Sequence, residues 1–146
     1  MNYTSIEQSK HLLELGLNLE TADMYYQAVL PRFSDKFHRV PEVGEPLHAL
    51  EWYNKGYTKS GKKPLSLDEY CIPCWSVGAL LDVLDYPKFY KDNTSGKDLW
   101  HCCCNINERE IIKASFAETE IDAVVELVTH LLEFGILKNK RNDESR

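Results

Sequence analysis

The hydrophobic positions near the C-terminal end of the chain recur with the period of an α-helix. The apolar residues of this stretch share one broad face: Ile121, Val124, Val125, Val128, Leu131 and Leu132. Thr119 is a residue type that caps helices, and Gly135 is typical of a helix end. Glu120 and Asp122 suit the positive end of the helix dipole. The pattern predicts a C-terminal helix that packs this face against a sheet.

Three segments ahead of that helix have the composition and alternation of β-strands. They span residues 88–91, 99–106 and 110–117, and turn-forming residues at 92–96 and 105–109 join them. The simplest arrangement is a three-stranded antiparallel meander.

Successive side chains of a strand point to opposite faces of its sheet. One predicted face of the middle strand holds Trp100, Cys102, Cys104 and Ile106. The other face holds Leu99, His101, Cys103 and Asn105. Cys102 and Cys104 are therefore predicted to be small core residues.

The N-terminal part of the chain contains two helix-start signals. Ser5 and Gln8 have the spacing of a capping box, and Gly16 supplies the stop of a first helix. Asn18 is a second capping residue, and the residues after it predict another helix that ends at Pro31.

A further helix is predicted in the middle of the chain. Ser66 and Glu69 repeat the capping-box spacing, and Pro73 suits the first position of a helix. The apolar residues that follow at helical spacing are Val77, Leu80, Leu81 and Leu84.

Residues 31–65 form the least regular part of the sequence. Four prolines and three glycines forbid long elements there, and the apolar run 47–53 fits either a strand or a helical turn. Connections of this length inside a compact domain tend to be functional or mobile. Its aromatic and leucine side chains argue against a solvated linker.

Together these elements predict a single α+β domain over residues 1–137. It has a small three-stranded antiparallel sheet packed by the C-terminal helix, two N-terminal helices and one helix after Pro73. Residues 138–146 are polar and are predicted to be a frayed tail.

Composition narrows the function classes. The chain is 43% hydrophobic and 27% charged, with no window apolar enough for a membrane span and no signal-peptide pattern at its start. We therefore expect a cytoplasmic protein with reduced cysteines and no membrane partner. The formal net charge of −6 argues against duplex DNA as a partner.

The Cys-Ile-Pro-Cys motif at residues 71–74 is the local pattern with the most chemical specificity. Thiols in such motifs exchange disulfides when a helix N-terminus lowers their pKa, but the strand that normally precedes this motif is not predicted here. A zinc site is the other alternative, with Cys71, Cys74, His101 and Cys103 as candidate ligands. The spacing disfavours it, because the second pair lies inside a predicted strand. We predict no catalytic residue and no cofactor.

Basic and aromatic residues are concentrated in the middle of the chain. Between Pro31 and Pro64 there are seven Lys or Arg residues and four Asp or Glu residues. Rings beside cations suit a ligand that stacks and carries phosphate. The candidate ligand-binding residues are Arg39, Trp52, Lys55 and Tyr57.

Three segments carry a resemblance to a known family. They are residues 3–18, the run Ile72-Pro73-Cys74-Trp75-Ser76-Val77-Gly78-Ala79-Leu80-Leu81, and residues 119–135. With them the chain resembles a family of small uncharacterised proteins encoded in gut Bacteroides-type genomes and their prophages. The family has no assigned activity, so the resemblance implies an accessory role in a mobile element and transfers no functional residue.

The leading functional interpretation is a non-enzymatic binding or interaction module whose partner is an unknown protein. The alternatives are a protein that binds a small anionic ligand such as a nucleotide through residues 32–63, and a thiol-redox or zinc-binding protein that uses Cys71 and Cys74. A homodimer is left open.

Overall fold

A computed structural model describes residues 2–28, 37–38, 40–94, 96–106 and 111–137, without the side chains of residues 57, 111 and 112. The elements follow in the order α1 (Ile6–Glu14), β1 (Met24–Gln27), β2 (Glu42–Val43), α2 (Pro46–Lys59), α3 (Leu67–Tyr70), β3 (Cys71–Cys74), α4 (Val77–Asp82), β4 (Asp85–Asp92), β5 (Leu99–Ile106), β6 (Ile111–Ala117) and α5 (Glu120–Glu133). A 3₁₀ turn at Leu19–Thr21 precedes β1. The α+β class predicted from the sequence is confirmed.

The predicted meander forms one of two antiparallel sheets, which we call the second sheet. Its strand order is β4-β5-β6, and α5 packs on β5 and β6. Cys102 and Cys104 are buried against α5 in the main core, as the alternation along β5 predicts. Thr119 caps α5, and Gly135, with φ of 68°, follows its last turn.

The first sheet, with strand order β2-β1-β3, was not predicted. The prediction of a second N-terminal helix after Asn18 is wrong, because Asn18 caps only the 3₁₀ turn and Met24–Gln27 is a strand. Tyr25 and Tyr26 are both buried on opposite faces of that strand. Two consecutive rings can enter two separate cores in an extended chain.

The prediction that Pro73 begins a helix is also wrong. Cys71–Cys74 is an edge strand that pairs with β1, and an edge position tolerates a proline that lacks an N–H group. The helix begins later, where the Ser76 hydroxyl accepts the Ala79 N–H at 3.1 Å. Leu80 and Leu84 of the predicted stripe are buried in the main core.

The expectation that prolines and glycines forbid long elements in residues 31–65 is wrong, because the ambiguous run 47–53 belongs to α2, a 14-residue helix that begins at Pro46 and contains Gly56. Ser66 caps the short helix α3 with a full capping box. At the other end of the chain, the predicted capping box of Ser5 and Gln8 begins α1. The side chain of Gln8 also donates to the Asp122 carboxylate at 2.8 Å, which ties α1 to α5.

Several predictions fall on residues that the structure does not describe. They are the frayed tail at 138–146, most of the turn at 105–109 and the part of the irregular segment at 31–36. Within the described ranges, no helix has the length and apolar character needed to cross a membrane.

Candidate ligand groove on helix α2

Helix α2 is anchored to the first sheet by one of its faces. Ala49, Leu50 and Tyr53 pack on the small core of Tyr25, Tyr70 and Cys71. The rings of Tyr53 and Tyr70 have centroids 5.0 Å apart. This packing fixes which side of the helix faces outward.

Asn54 anchors the helix to the chain that follows it. Its amide nitrogen donates to the Leu65 carbonyl, its amide oxygen accepts the Leu65 N–H, and both distances are 2.9 Å. Two reciprocal hydrogen bonds hold the C-terminal half of α2 in a set orientation. The opposite side of the helix is thereby left facing outward.

An open groove of about 340 Å³ runs along that opposite side. Its described lining falls at helical spacing along α2: His48, Glu51, Trp52, Lys55, Gly56 and Lys59. Trp52 is 73% exposed. The volume lies at the lower end of the range for small-molecule sites, which is roughly 300–1,000 Å³. We call this site the α2 groove.

The α2 groove combines one large ring with an excess of cations. Lys55 and Lys59 lie one turn apart, Glu51 is the acidic lining residue, and His48 lies at the N-terminal end. Residues 46–63 carry four lysines and one glutamate in a chain whose formal net charge is −6. The groove therefore offers a planar apolar surface beside two lysines.

Gly56 is the lining residue without a side chain. A Cβ atom built at this position meets nothing within 4 Å, so the missing side chain leaves open space. Glycine in the middle of a helix is less stable than alanine by roughly 0.5–1 kcal/mol. Glycine at position 56 therefore lowers the stability of the helix relative to alanine while it leaves space in the groove.

A second concavity, of about 280 Å³, adjoins the groove at the start of α2. It shares His48 and Glu51 with the groove and is lined in addition by Leu19, Glu20, Glu45, Pro46 and Leu47. The two concavities are therefore neighbours at the N-terminal end of α2.

The structure brings together two of the four predicted ligand-binding residues. Trp52 and Lys55 line the α2 groove. Tyr57 belongs to α2, but its side chain is outside the described part of the protein, as is all of Arg39. The sequence analysis missed His48, Gly56 and Lys59. His48 and Gly56 lie four residues before and after Trp52, and Lys59 lies four residues after Lys55. Such spacings bring side chains together only when the segment is a helix.

The thiols of the Cys-x-x-C motif are placed apart. Cys71 packs with Tyr25 and Tyr70, whereas Cys74 lies in a different cluster on the other face of β3. Burial raises the pKa of Cys71 to about 12 and also raises the pKa of Cys74. A reactive thiol needs a lowered pKa and access to its partner, and this geometry provides neither.

The alternative zinc ligands are divided between the two sheets. Cys71 and Cys74 lie on β3, whereas His101 and Cys103 lie on β5. Among the described residues there is no cluster of three or more His, Cys, Asp or Glu side chains that could hold a metal ion.

Comparisons with known protein families, with curated proteins and with solved structures gave no match for this chain.

Proposed function

We propose that this protein is a non-enzymatic binding module whose α2 groove takes a small anionic ligand with a planar ring, of the mononucleotide class. The observation that carries the proposal is the exposed ring of Trp52 beside Lys55 in a groove of ligand size. An accessory role in a mobile element, which the family resemblance implies, is part of the same proposal.

Trp52 supplies the larger share of the binding free energy. A tryptophan ring that is 73% exposed has given up little of its apolar surface to the core. Stacking of a base on an aromatic ring contributes about 1–3 kcal/mol. The helix that carries the ring is packed by its inner face, so the backbone at the site is already ordered when a ligand binds.

The lysines supply the preference for an anion. Lys55 and Lys59 flank the open space at Gly56 and follow Trp52 along the helix. A phosphate on a stacked nucleoside reaches such neighbours because an ammonium group on a flexible stem adapts its position. Ligands without phosphate are then expected to bind more weakly, and salt is expected to weaken binding.

Isothermal titration calorimetry with AMP, cyclic AMP, ADP and adenosine tests the proposal on the full chain. We expect phosphate-bearing ligands to bind, adenosine to bind at least about tenfold more weakly, and affinity to fall as salt is raised. Absence of binding by every nucleotide at millimolar concentration overturns the proposed ligand class.

Three variants locate the site. Trp52→Ala and Lys55→Ala are expected to weaken binding by about tenfold or more, since each removes one recognition element. Gly56→Leu is expected to abolish binding by filling the groove, while the helix keeps or gains stability because glycine is replaced.

Matched controls separate the site from general effects on the surface. Phe134→Ala removes another exposed ring, and Lys10→Ala removes an exposed lysine from α1. Both are expected to leave affinity unchanged. If the affinity is unchanged in both Trp52→Ala and Gly56→Leu, the ligand binds elsewhere and the α2 groove is not its site.

A further inference from the structure

A row of three rings crosses the second sheet on the face opposite α5, which we call the outer face. Tyr90 on β4, His101 on β5 and Phe116 on β6 are register partners. Tyr90 is 47% exposed and Phe116 is 50% exposed, whereas Cys102 beneath them on the inner face is fully buried. The outer face therefore presents aromatic surface to solvent at the centre of the sheet.

The three rings hold one another in place. The His101 ring stacks on Phe116 with centroids 4.3 Å apart and an interplanar angle of 5°. It meets Tyr90 edge-on at 4.7 Å, and the Tyr90 hydroxyl is hydrogen-bonded to His101 Nδ1. A surface ordered in this way loses little side-chain entropy when another surface packs on it.

His101 also carries an unsatisfied polar atom. Its Nε2 is buried and has no hydrogen-bond partner among the described residues. Leaving a buried polar atom without a partner opposes stability. This cost offsets part of what the stacking on Phe116 and the hydrogen bond to Tyr90 contribute.

Opposite charges flank the row symmetrically. Lys88 and Asp92 lie two residues before and after Tyr90 on β4, so all three share the outer face. A twofold axis along the row of rings would lay β4 of one copy antiparallel over β4 of a second copy. Lys88 of each copy would then face Asp92 of the other and form two ion pairs at the rim of an aromatic centre. The Oδ1 atom of Asp92 already accepts the N–H and the hydroxyl of Thr94.

The β4 edge of the second sheet disfavours assembly by strand pairing. β4 is an edge strand that contains Pro87, which has no N–H group to donate, and the charged residues Lys88 and Lys91. Such features are typical of edges that resist pairing with another chain. Pairing of two copies along β4 is therefore disfavoured, and association through the face does not require a free strand edge.

From the exposed ring row and its self-complementary charges, we infer that the outer face of the second sheet is an interface through which two copies of this chain associate. This interface is separate from the α2 groove, and the inference does not depend on the proposed ligand.

Sedimentation velocity on the full chain across the micromolar range tests the inference. We expect a reversible monomer–dimer equilibrium. Lys88→Glu and Asp92→Lys are each expected to weaken the dimer by about tenfold or more, because each places like charges opposite one another twice. Phe116→Ala is expected to weaken it through loss of aromatic contact area. Lys10→Glu, with the same change of net charge as Lys88→Glu, is expected to have no effect.

Mixing the two charge variants provides the decisive measurement. In a mixed dimer of the Lys88→Glu and Asp92→Lys chains, the introduced glutamate would face the introduced lysine at one end of the row. The unaltered Asp92 of the first chain would face the unaltered Lys88 of the second at the other end, so an equimolar mixture is expected to recover association. Melting temperatures that match the wild type show that the variants are folded.

Three results would each overturn the inference: a wild type that stays monomeric, a dimer insensitive to Phe116→Ala and Lys88→Glu, or a mixture that fails to recover. If the wild type stays monomeric, the outer face would instead bind a different protein.

Discussion

The indole nitrogen of Trp75 donates a hydrogen bond to the hydroxyl oxygen of Thr21, and the two atoms are 2.9 Å apart. Trp75 is fully buried in the main core, and the Thr21 hydroxyl itself donates to the Asn18 carbonyl. One threonine therefore satisfies the indole and closes the 3₁₀ turn. This contact ties the segment before β1 to the segment before α4.

Replacing Thr21 by valine is expected to lower the free energy of unfolding by about 1–3 kcal/mol, because the buried indole N–H loses its acceptor while the side-chain volume stays similar. Urea denaturation followed by tryptophan fluorescence measures the change. Thr21→Ser retains the hydroxyl and should cost clearly less. Equal losses for the two variants would show that the hydrogen bond contributes nothing.

Asp23 is expected to be a second stabilising residue of the same region. Its carboxylate accepts the Ser76 N–H at 2.9 Å and the Ser76 hydroxyl at 2.5 Å, which positions the cap of α4. Asp23→Ala should lower the free energy of unfolding by about 1–3 kcal/mol, since two donors lose a charged partner. Asp23→Asn keeps one accepting oxygen and should fall between the alanine variant and the wild type. Chemical denaturation at neutral pH distinguishes the three proteins.

The apolar face of α5 is expected to dominate stability. Val128 is fully buried and Leu131 is 3% exposed. Leu131→Ala should cost about 2–4 kcal/mol, because it removes buried methyl groups and leaves a cavity. Glu126→Ala, an exposed position on the same helix, is the control and should change stability by less than about 0.5 kcal/mol. An unchanged denaturation midpoint for Leu131→Ala would contradict the burial of this face.

Stability is expected to fall at alkaline pH. Burial raises the pKa of Cys71 and Cys102 to about 12 and the pKa of Cys104 to about 11, from an ordinary value of 9.0. The folded protein thus keeps protons that the unfolded chain releases above about pH 9, so the stabilisation is complete below that pH and is lost as pH rises towards 11–12. Burial raises the pKa of Tyr25 and Tyr26 as well, which steepens the loss above about pH 10.

Free energies of unfolding measured from about pH 8 to about pH 10.5 test this prediction. Cys102→Ala removes one buried thiol and is expected to flatten the decline. A constant free energy across the range would show that these thiols titrate alike in the folded and unfolded states.

Local signals in the sequence were sufficient for the elements whose partners lie nearby in the chain. The capping residues Ser5, Ser66 and Thr119 each begin a helix, since a cap satisfies N–H groups only three residues away. The strands of the second sheet were also predictable, because their alternation and short turns specify a meander. The burial of Cys102 and Cys104 followed from that alternation.

The first sheet depended on contacts between distant segments. By local pattern, Tyr25 and Tyr26 fit an amphipathic helix. In the structure the ring centroids of Tyr25 and Tyr70 are 6.0 Å apart, and the Tyr26 hydroxyl donates to the Thr4 carbonyl at 2.6 Å. Only an extended backbone sends two adjacent rings to these separate places. Cys71–Cys74 is likewise a strand because it pairs with β1, which is distant in sequence.

The candidate site shows the same division. Residue type alone singled out Trp52 and Lys55, because a ring beside a cation has a recognisable chemistry. The sequence by itself also determined the α+β class and the apolar face of α5 that is buried in the main core. Only the tertiary structure decided that residues 46–59 are a helix and which of its faces is outward, because Tyr53 packs on Tyr70 from another element. Choosing the exposed face of a helix requires knowing what covers the other one, and that partner is distant in sequence.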